Sequence, residues 1–252
     1  MLTGQTAQTG SRRRRVTLLL EGDVSELMLL RAGERARAEP GLEFDACLLA
    51  DAPRPGLELV TAFAGGFGLR RLGWPALQEE LRKPRQAIFV APPFWRRHGR
   101  ALWPALGTTA VYVCRRGRDQ VERLLVGADC LPTGVELLGW LDHVPRLDGA
   151  DRTVVQAIPP APSWAMTMLA AGGVPYVPAA SEEPPAEAGR WLVRNQRPER
   201  ALSEACRDFA PDLVVLGWHA HSLPLPAPFL HPLAWRLSLR LPTDVLLIPL
   251  SA

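Results

Sequence analysis

The chain is almost without lysine: Lys83 is the only one in 252 residues, and arginine carries every other basic charge. Lys83 stands in Leu81-Arg82-Lys83-Pro84, a turn with no glycine, which rules out a lysine-bearing phosphate loop and a lysine Schiff base. Cysteine is sparse too. Cys47, Cys114, Cys130 and Cys206 lie far apart, with no Cys-x-x-Cys pair and no histidine at ligand spacing. This argues against a zinc site or a disulfide framework and for buried, unreactive thiols. No uncharged apolar stretch approaches transmembrane length, and Val16 to Leu20 is too short for a signal-peptide core and runs at once into Glu21 and Asp23. A cytoplasmic protein that touches no membrane and holds no metal is the expectation.

Charge of one sign is also missing from the body of the chain. The formal net charge is +3, and its excess is concentrated in Arg12-Arg13-Arg14-Arg15. The remainder is close to neutral, which argues against a nucleic-acid-binding surface. Residues 1–14 read as a disordered basic tail. Apolar residues make up 47% of the chain, enough for a large core without covalent staples.

What is present is a set of short, unbroken apolar runs. Leu213-Val214-Val215-Leu216-Gly217 and Val245-Leu246-Leu247-Ile248-Pro249 lack alternation, as strands covered on both faces do, and the chain between them has room for a crossover helix. Earlier strands are predicted at Thr17–Leu20, Phe44–Leu49, Ala87–Ala91 and Thr109–Cys114, and later ones at Arg123–Val126, Thr153–Ile158 and Trp191–Asn195. Amphipathic spacing predicts helices over Val24–Ala38, Leu57–Ala64, Trp74–Leu81, Gly134–Val144 and, most clearly, Pro198–Phe209. Ser163–Ala171 reads as a short helix and 172–188 as a proline-rich excursion. Gly65-Gly66-Phe67-Gly68 neither follows a clear strand nor opens a clear helix and reads as a flexible turn. Trp95-Arg96-Arg97-His98 reads as part of a basic loop through residue 100.

Arg123-Leu124-Leu125-Val126-Gly127-Ala128-Asp129 resembles Thr17-Leu18-Leu19-Leu20-Glu21-Gly22-Asp23, each a strand running onto an aspartate. Two copies of one α/β unit, 15–118 and 119–252, follow from that repeat. The expected fold is therefore two open, doubly wound, five-stranded parallel sheets.

Leu-Leu-Val-Gly-Ala-Asp129, Pro198-Glu199-Arg200-Ala201-Leu202, and Pro-Asp-Leu-Val-Val-Leu-Gly217 followed by Thr-Asp-Val-Leu-Leu-Ile248 resemble the universal stress protein family. The resemblance covers Val121 to Ala252 well and Arg15 to Arg115 in outline. It implies the strand order 3-2-1-4-5, and tandem copies or dimers that pair through their last strands. It also implies ATP at the switch point between strands one and four for many members, held by the aspartate after strand one and a loop of the form Gly-x2-Gly-x9-Gly-Ser/Thr. The first loop glycine here is Gly217, but Ala220 stands where the second belongs, and Pro226, Pro228, Phe229 and Pro232 fill the region of the last. Prolines donate no N–H, so this loop suits a triphosphate poorly. The first copy has Ala91-Pro92-Pro93 at the same place.

The cofactor-binding candidates, should nucleotide bind, are Asp129, Gly127, Gly217 and His219. Asp129 is equally well read as a helix cap, and Asp23 poses the same choice. His219 and His221 read as exposed loop histidines without a third metal ligand. Trp95 and Trp218 are taken as equivalent aromatics that cover the sheet or pack one copy on the other. No nucleophile elbow surrounds Ser222 or Ser251, and no catalytic residue is identified. The sequence therefore points to a non-catalytic tandem protein acting in stress response or regulation through a protein partner, with a degenerate nucleotide site, no bound cofactor, and a homodimeric or intramolecular pseudo-dimeric form. The alternative is an ATP-binding member with an atypical loop and at most weak ATPase activity.

Overall fold

Runs of Val, Leu and Ile that satisfy no helical period become the middle of a sheet. A computed structural model describes residues 14–37, 42–51, 56–83, 87–107, 109–117, 120–128, 131–142, 147, 149–157, 190–219 and 233–250. Its first half runs β1 (Arg14–Leu20), α1 (Glu26–Ala36), β2 (Leu42–Leu49), α2 (Leu57–Ala64), β3 (Leu69–Leu72), α3 (Trp74–Leu81), β4 (Ala87–Val90), α4 (Pro92–Leu102) and β5 (Ala110–Val113). The second runs β6 (Arg123–Ala128), α5 (Leu131–Leu141), β7 (Asp151–Ala157), β8 (Arg190–Arg194), α6 (Pro198–Phe209), β9 (Leu213–His219), α7 (Leu233–Arg240) and β10 (Asp244–Leu250).

The strands form one sheet in the order β3-β2-β1-β4-β5-β10-β9-β6-β7-β8. The order 3-2-1-4-5 thus occurs twice, as expected, but the two five-stranded sets are fused into a single ten-stranded sheet. Among the described residues the pairings within each set are parallel, whereas β5 and β10 pair antiparallel, Val113 opposite Val245 and Val111 opposite Leu247. An antiparallel join reverses strand direction, so the carboxyl ends of the two sets lie at opposite ends of the sheet.

Side-chain alternation sorts the core onto two faces. Along β1, Leu18 and Leu20 meet Leu29, Leu30, Val60 and Phe67 under α1 and α2, while Leu19 points to the other face. Along β9, Leu213 and Val215 pack with Leu137 and Leu141 of α5, while Val214 and Leu216 turn the other way. On that second face α3, α4, α6 and α7 cover one continuous cluster that spans both halves.

Three expectations need correction. The strand β3 was missed, because Leu69-Arg70-Arg71-Leu72 is a short edge strand with no apolar run; the glycines before it form a 3-10 turn in which Phe67 is buried. The basic loop at 95–100 is helical: α4 begins at Pro92, two residues after β4 ends, with proline tolerated in its first turn. Trp95 and Trp218 consequently hold different places, one on α4 and one in β9. Ser163–Ala171 and 172–188 lie outside the described residues.

The two halves meet through side chains as well as strands. Trp95, with no exposed surface, donates from Nε1 to Ser238 Oγ on α7 at 2.8 Å, and Ser238 donates onward to the carbonyl of Trp235. Trp103 lies between Trp95 and Trp218, at centroid distances of 6.1 and 4.6 Å. The Asp244 carboxylate, at the start of β10, accepts from the backbone N–H groups of Arg115, Arg116 and Gly117 at 2.6, 2.7 and 3.1 Å and from the Tyr112 hydroxyl at 2.7 Å. It ties the end of the first half to the last strand of the second. Asp212 plays a similar part at the start of β9, accepting from the N–H groups of Glu122 and Arg123, both at 3.0 Å.

A separate ionic network joins β1, β2, β3 and α3. Asp45 accepts from Arg15, Thr17 and Arg70, and Glu80 pairs with Arg70 at 3.2 Å and Lys83 at 2.7 Å. Burial alone would raise the Glu80 carboxyl, but Lys83 and Arg70 pull it from 4.5 down to about 2. A lowered folded pKa contributes stability above pH 4.5 that disappears as pH falls toward about 2. Because Arg70 and Lys83 are both substantially exposed, solvent screening reduces the gain to about 1–2 kcal/mol. Glu80→Gln is expected to lower stability by that amount at pH 7 and to flatten the loss of stability between pH 4.5 and 2, read by urea unfolding across pH. An unchanged acid limb would remove Glu80 from this role.

Candidate functional site

In an open α/β sheet a ligand site is built where the strand order reverses, at the carboxyl ends of the central strands. In the first half that place lies between β1 and β4. The chain leaves β1 through Glu21, whose side chain is 1% exposed. Glu21 accepts from Arg97 Nη1 and lies 2.7 Å from His98 Nε2, both on α4. Burial alone would raise the Glu21 carboxyl, but the hydrogen bonds and charges of His98 and Arg97 outweigh it and hold it below its ordinary range. The His98 ring stands between Trp74 and Phe94, each 4.9 Å away by centroid.

The turn that presents Glu21 is held from beneath. Glu26, the first residue of α1 and fully buried, accepts from the backbone N–H groups of Glu21, Gly22 and Asp23 at 2.8, 2.9 and 3.2 Å. Burial pushes its carboxyl up to about 7 against those three donors, and the neighbouring Glu21 charge adds to the rise. Asp23, the weaker aspartate candidate, accepts from the Ser25 N–H at 2.8 Å, as a turn-forming aspartate does. Glu21 was missed because it occupies the place of Gly127 in the repeat, two residues before the aspartates that drew attention. Its pairing with Arg97 and His98 spans more than seventy residues, and no local pattern announces it.

This arrangement does not fit a triphosphate at the first switch point. Helix α4 follows β4 after Ala91 alone, so no loop is present to wrap phosphates, and Pro92 and Pro93 offer no N–H. A carboxylate, already paired, occupies the end of β1.

The corresponding place in the second half lies between β6 and β9. Gly127 and Gly217 stand near the ends of those strands, paired through the register Gly127 to Leu216. A Cβ on Gly217 would sit 2.4 Å from Leu250 Cδ1, and one on Gly127 would sit 2.7 Å from Leu216 Cδ2 and 3.0 Å from Leu202. Both glycines therefore let leucines of the same chain approach closely. His219 ends β9, where its backbone pairs with Leu250. Asp129, His221, Cys130 and the proline-bearing segment 220–232 lie outside the described residues. Trp218 is buried, and its indole N–H has no hydrogen-bond partner among the described residues.

Cys47, Cys114 and Cys206 are buried. Burial pushes Cys114 up to about 12 and Cys206 to about 11, which keeps them protonated. Among the described residues no three His, Cys, Asp or Glu side chains gather as a metal site requires, and no helix is long and apolar enough to cross a membrane.

Fold and site define an open, Rossmann-like α/β protein in which the strand order reverses twice. Residues 120–249 match the sequence model of the universal stress protein family, and the chain belongs to that family. A universal stress protein from Archaeoglobus fulgidus DSM 4304 superposes with a TM-score of 0.53 at 13% identity, over 95% of this chain and 97% of that one. A protein of unknown function from Pseudomonas aeruginosa PAO1 superposes with a TM-score of 0.57 at 12% identity, over 95% of this chain and 93% of that one. At such identities the likeness is one of fold. No curated protein matches the chain significantly in sequence.

Proposed function

We propose that the protein is a non-catalytic tandem member of the family that acts in the cytoplasm in stress response or regulation, through a protein partner. The diverged first copy runs to residue 118 and begins at Arg14, which the sequence reading assigned to the basic tail but which opens β1, and residues 119–252 are the second copy. The single observation that carries this reading is the ion-paired Glu21 with Arg97 and His98, placed where a ligand would enter the first copy. The close leucines over Gly127 and Gly217 support the same reading for the second. The pairing of β5 with β10 within one chain supports an intramolecular pseudo-dimer.

A second reading has its own support in the buried indole N–H of Trp218, which has no hydrogen-bond partner among the described residues and suits a ligand held in the second copy. Titration calorimetry with ATP, together with extraction of nucleotide from the purified protein, separates the two. The expected result is no nucleotide in the extract and no ATP binding below millimolar concentration. Micromolar ATP affinity that vanishes in Asp129→Ala would establish the second reading instead.

A further inference from the structure

We propose that two chains pair face to face through the outer surface of α2, as a symmetric dimer separate from the β5–β10 join inside each chain. The pairing uses exposed side chains of the first copy and does not depend on whether either copy binds a nucleotide. Helix α2 reads Leu57-Glu58-Leu59-Val60-Thr61-Ala62-Phe63-Ala64, with Glu58 and Thr61 its only polar residues. Val60 and Ala64 fill its inner side, fully buried in the cluster with Leu18 and Leu20.

Leu59, Ala62 and Phe63 recur at the spacing of one helix face, and all three are exposed, Leu59 by 45% and Phe63 by 40%. A helix that is apolar on both sides is ordinarily covered on both. Val24, at the entry to α1, extends the patch. It is 52% exposed, and a Cβ on Gly56, at the start of α2, would meet its Cγ2 at 2.5 Å. Met28, one turn further along α1, is 37% exposed. Four of the six large exposed apolar side chains among the described residues thus gather on or beside α1 and α2, and such a concentration marks an interaction surface.

The two ends of this face carry opposite charges. Exposed Glu58 stands in the first turn of α2. Exposed Arg37, just after α1, donates from Nη1 to the carbonyl of Gly66 beyond the other end, with its guanidinium 5.8 Å from the Phe67 ring centroid. That carbonyl orients the guanidinium without neutralising it, and among the described residues neither Glu58 nor Arg37 has an ion pair. From Glu58 to Gly66 the chain rises about 12 Å at 1.5 Å per residue. Antiparallel packing of two α2 helices therefore sets Glu58 of each chain near the partner's Arg37, aligns the helix dipoles favourably and joins apolar face to apolar face. Ala62, in the middle, is small enough to let the axes approach. A two-fold contact of this kind closes after two chains. A partner of one charge sign would gain at one end of the face and lose at the other, whereas a second copy gains at both.

The test is sedimentation velocity of the full chain across concentration. A contact made by one short helix is small, so the chain is expected to be monomeric at about 1 μM and mostly dimeric at about 200 μM. Leu59→Ser combined with Phe63→Ser is expected to weaken association at least tenfold. Glu58→Arg alone is expected to weaken it at least threefold, with recovery when Arg37→Glu is added, a restoration that loss of packing would not give. Val193→Ser, 53% exposed on β8, is the control and leaves association unchanged. All these side chains are exposed, so the variants keep the fold, and circular dichroism checks that they do. A monomer at every concentration, association unmoved by the Leu59 and Phe63 pair, an equal loss in Val193→Ser, or no recovery on charge exchange would each overturn the interface.

Discussion

Asp244→Ala is expected to cost about 3–5 kcal/mol, because it strands three backbone N–H groups and a tyrosine hydroxyl at once. The carboxylate is 1% exposed and receives three consecutive backbone N–H groups and one hydroxyl. Water cannot replace it without opening the β5–β10 join. Asp244→Asn keeps the shape and one acceptor oxygen but turns an amide NH₂ toward donors, so it recovers only part of the loss. Urea unfolding followed by near-ultraviolet circular dichroism measures the cost, and limited proteolysis should show faster cutting around Arg115–Gly117. A loss under 1 kcal/mol for Asp244→Ala would mean that the join is held by strand pairing alone.

Trp95→Ala is expected to cost about 3–5 kcal/mol through the cavity it leaves in the cluster shared by both halves. Trp95→Phe keeps most of the volume and loses the bond to Ser238, for about 1–2 kcal/mol. Ser238→Ala leaves the Trp95 indole N–H buried and unpaired, with a loss of similar size. A double-mutant cycle of Trp95→Phe with Ser238→Ala reads the coupling between α4 and α7 directly. Additive losses would show that the Trp95–Ser238 hydrogen bond does not couple α4 to α7.

These two positions show where the sequence was legible. Asp244 lies in a Thr-Asp pair before an apolar run, and Asp212 in a Pro-Asp pair before another. Asp244 opens β10, and Asp212 stands immediately before β9. Helix α6 emerged with its boundaries intact, because proline opens it and apolar residues recur on one face of twelve consecutive residues. Trp95 was read against Trp218 from their similar neighbourhoods of proline and histidine. Composition cannot say whether Pro92-Pro93 opens a loop or the first turn of a helix, since proline suits both.

The candidate site divides in the same way. Gly127 and Gly217 were visible as glycines at strand ends, where either a ligand or a packed side chain can demand the missing Cβ. Only the placement of Leu202, Leu216 and Leu250 distinguishes the two demands. Glu21 was passed over in favour of Asp23, because an aspartate at the end of a repeat is a pattern and a glutamate two residues earlier is not.

By itself, the sequence determined the α/β class, the family of the second half, the twofold occurrence of one strand order and the poverty of the glycine loop. Those are properties of runs, spacings and residue types, and a linear chain records them. Tertiary structure alone decided that the two sets of strands form one sheet, that Glu21 meets Arg97 and His98, and that Asp244 holds the turn after β5. Each is a contact between segments dozens of residues apart, chosen by which surfaces the fold brings together rather than by anything either segment specifies alone. The strands β9 and β10 announce the sheet in their apolar runs, while the partners of Asp244 at the start of β10 come from Tyr112 and Arg115–Gly117 in the other half of the chain.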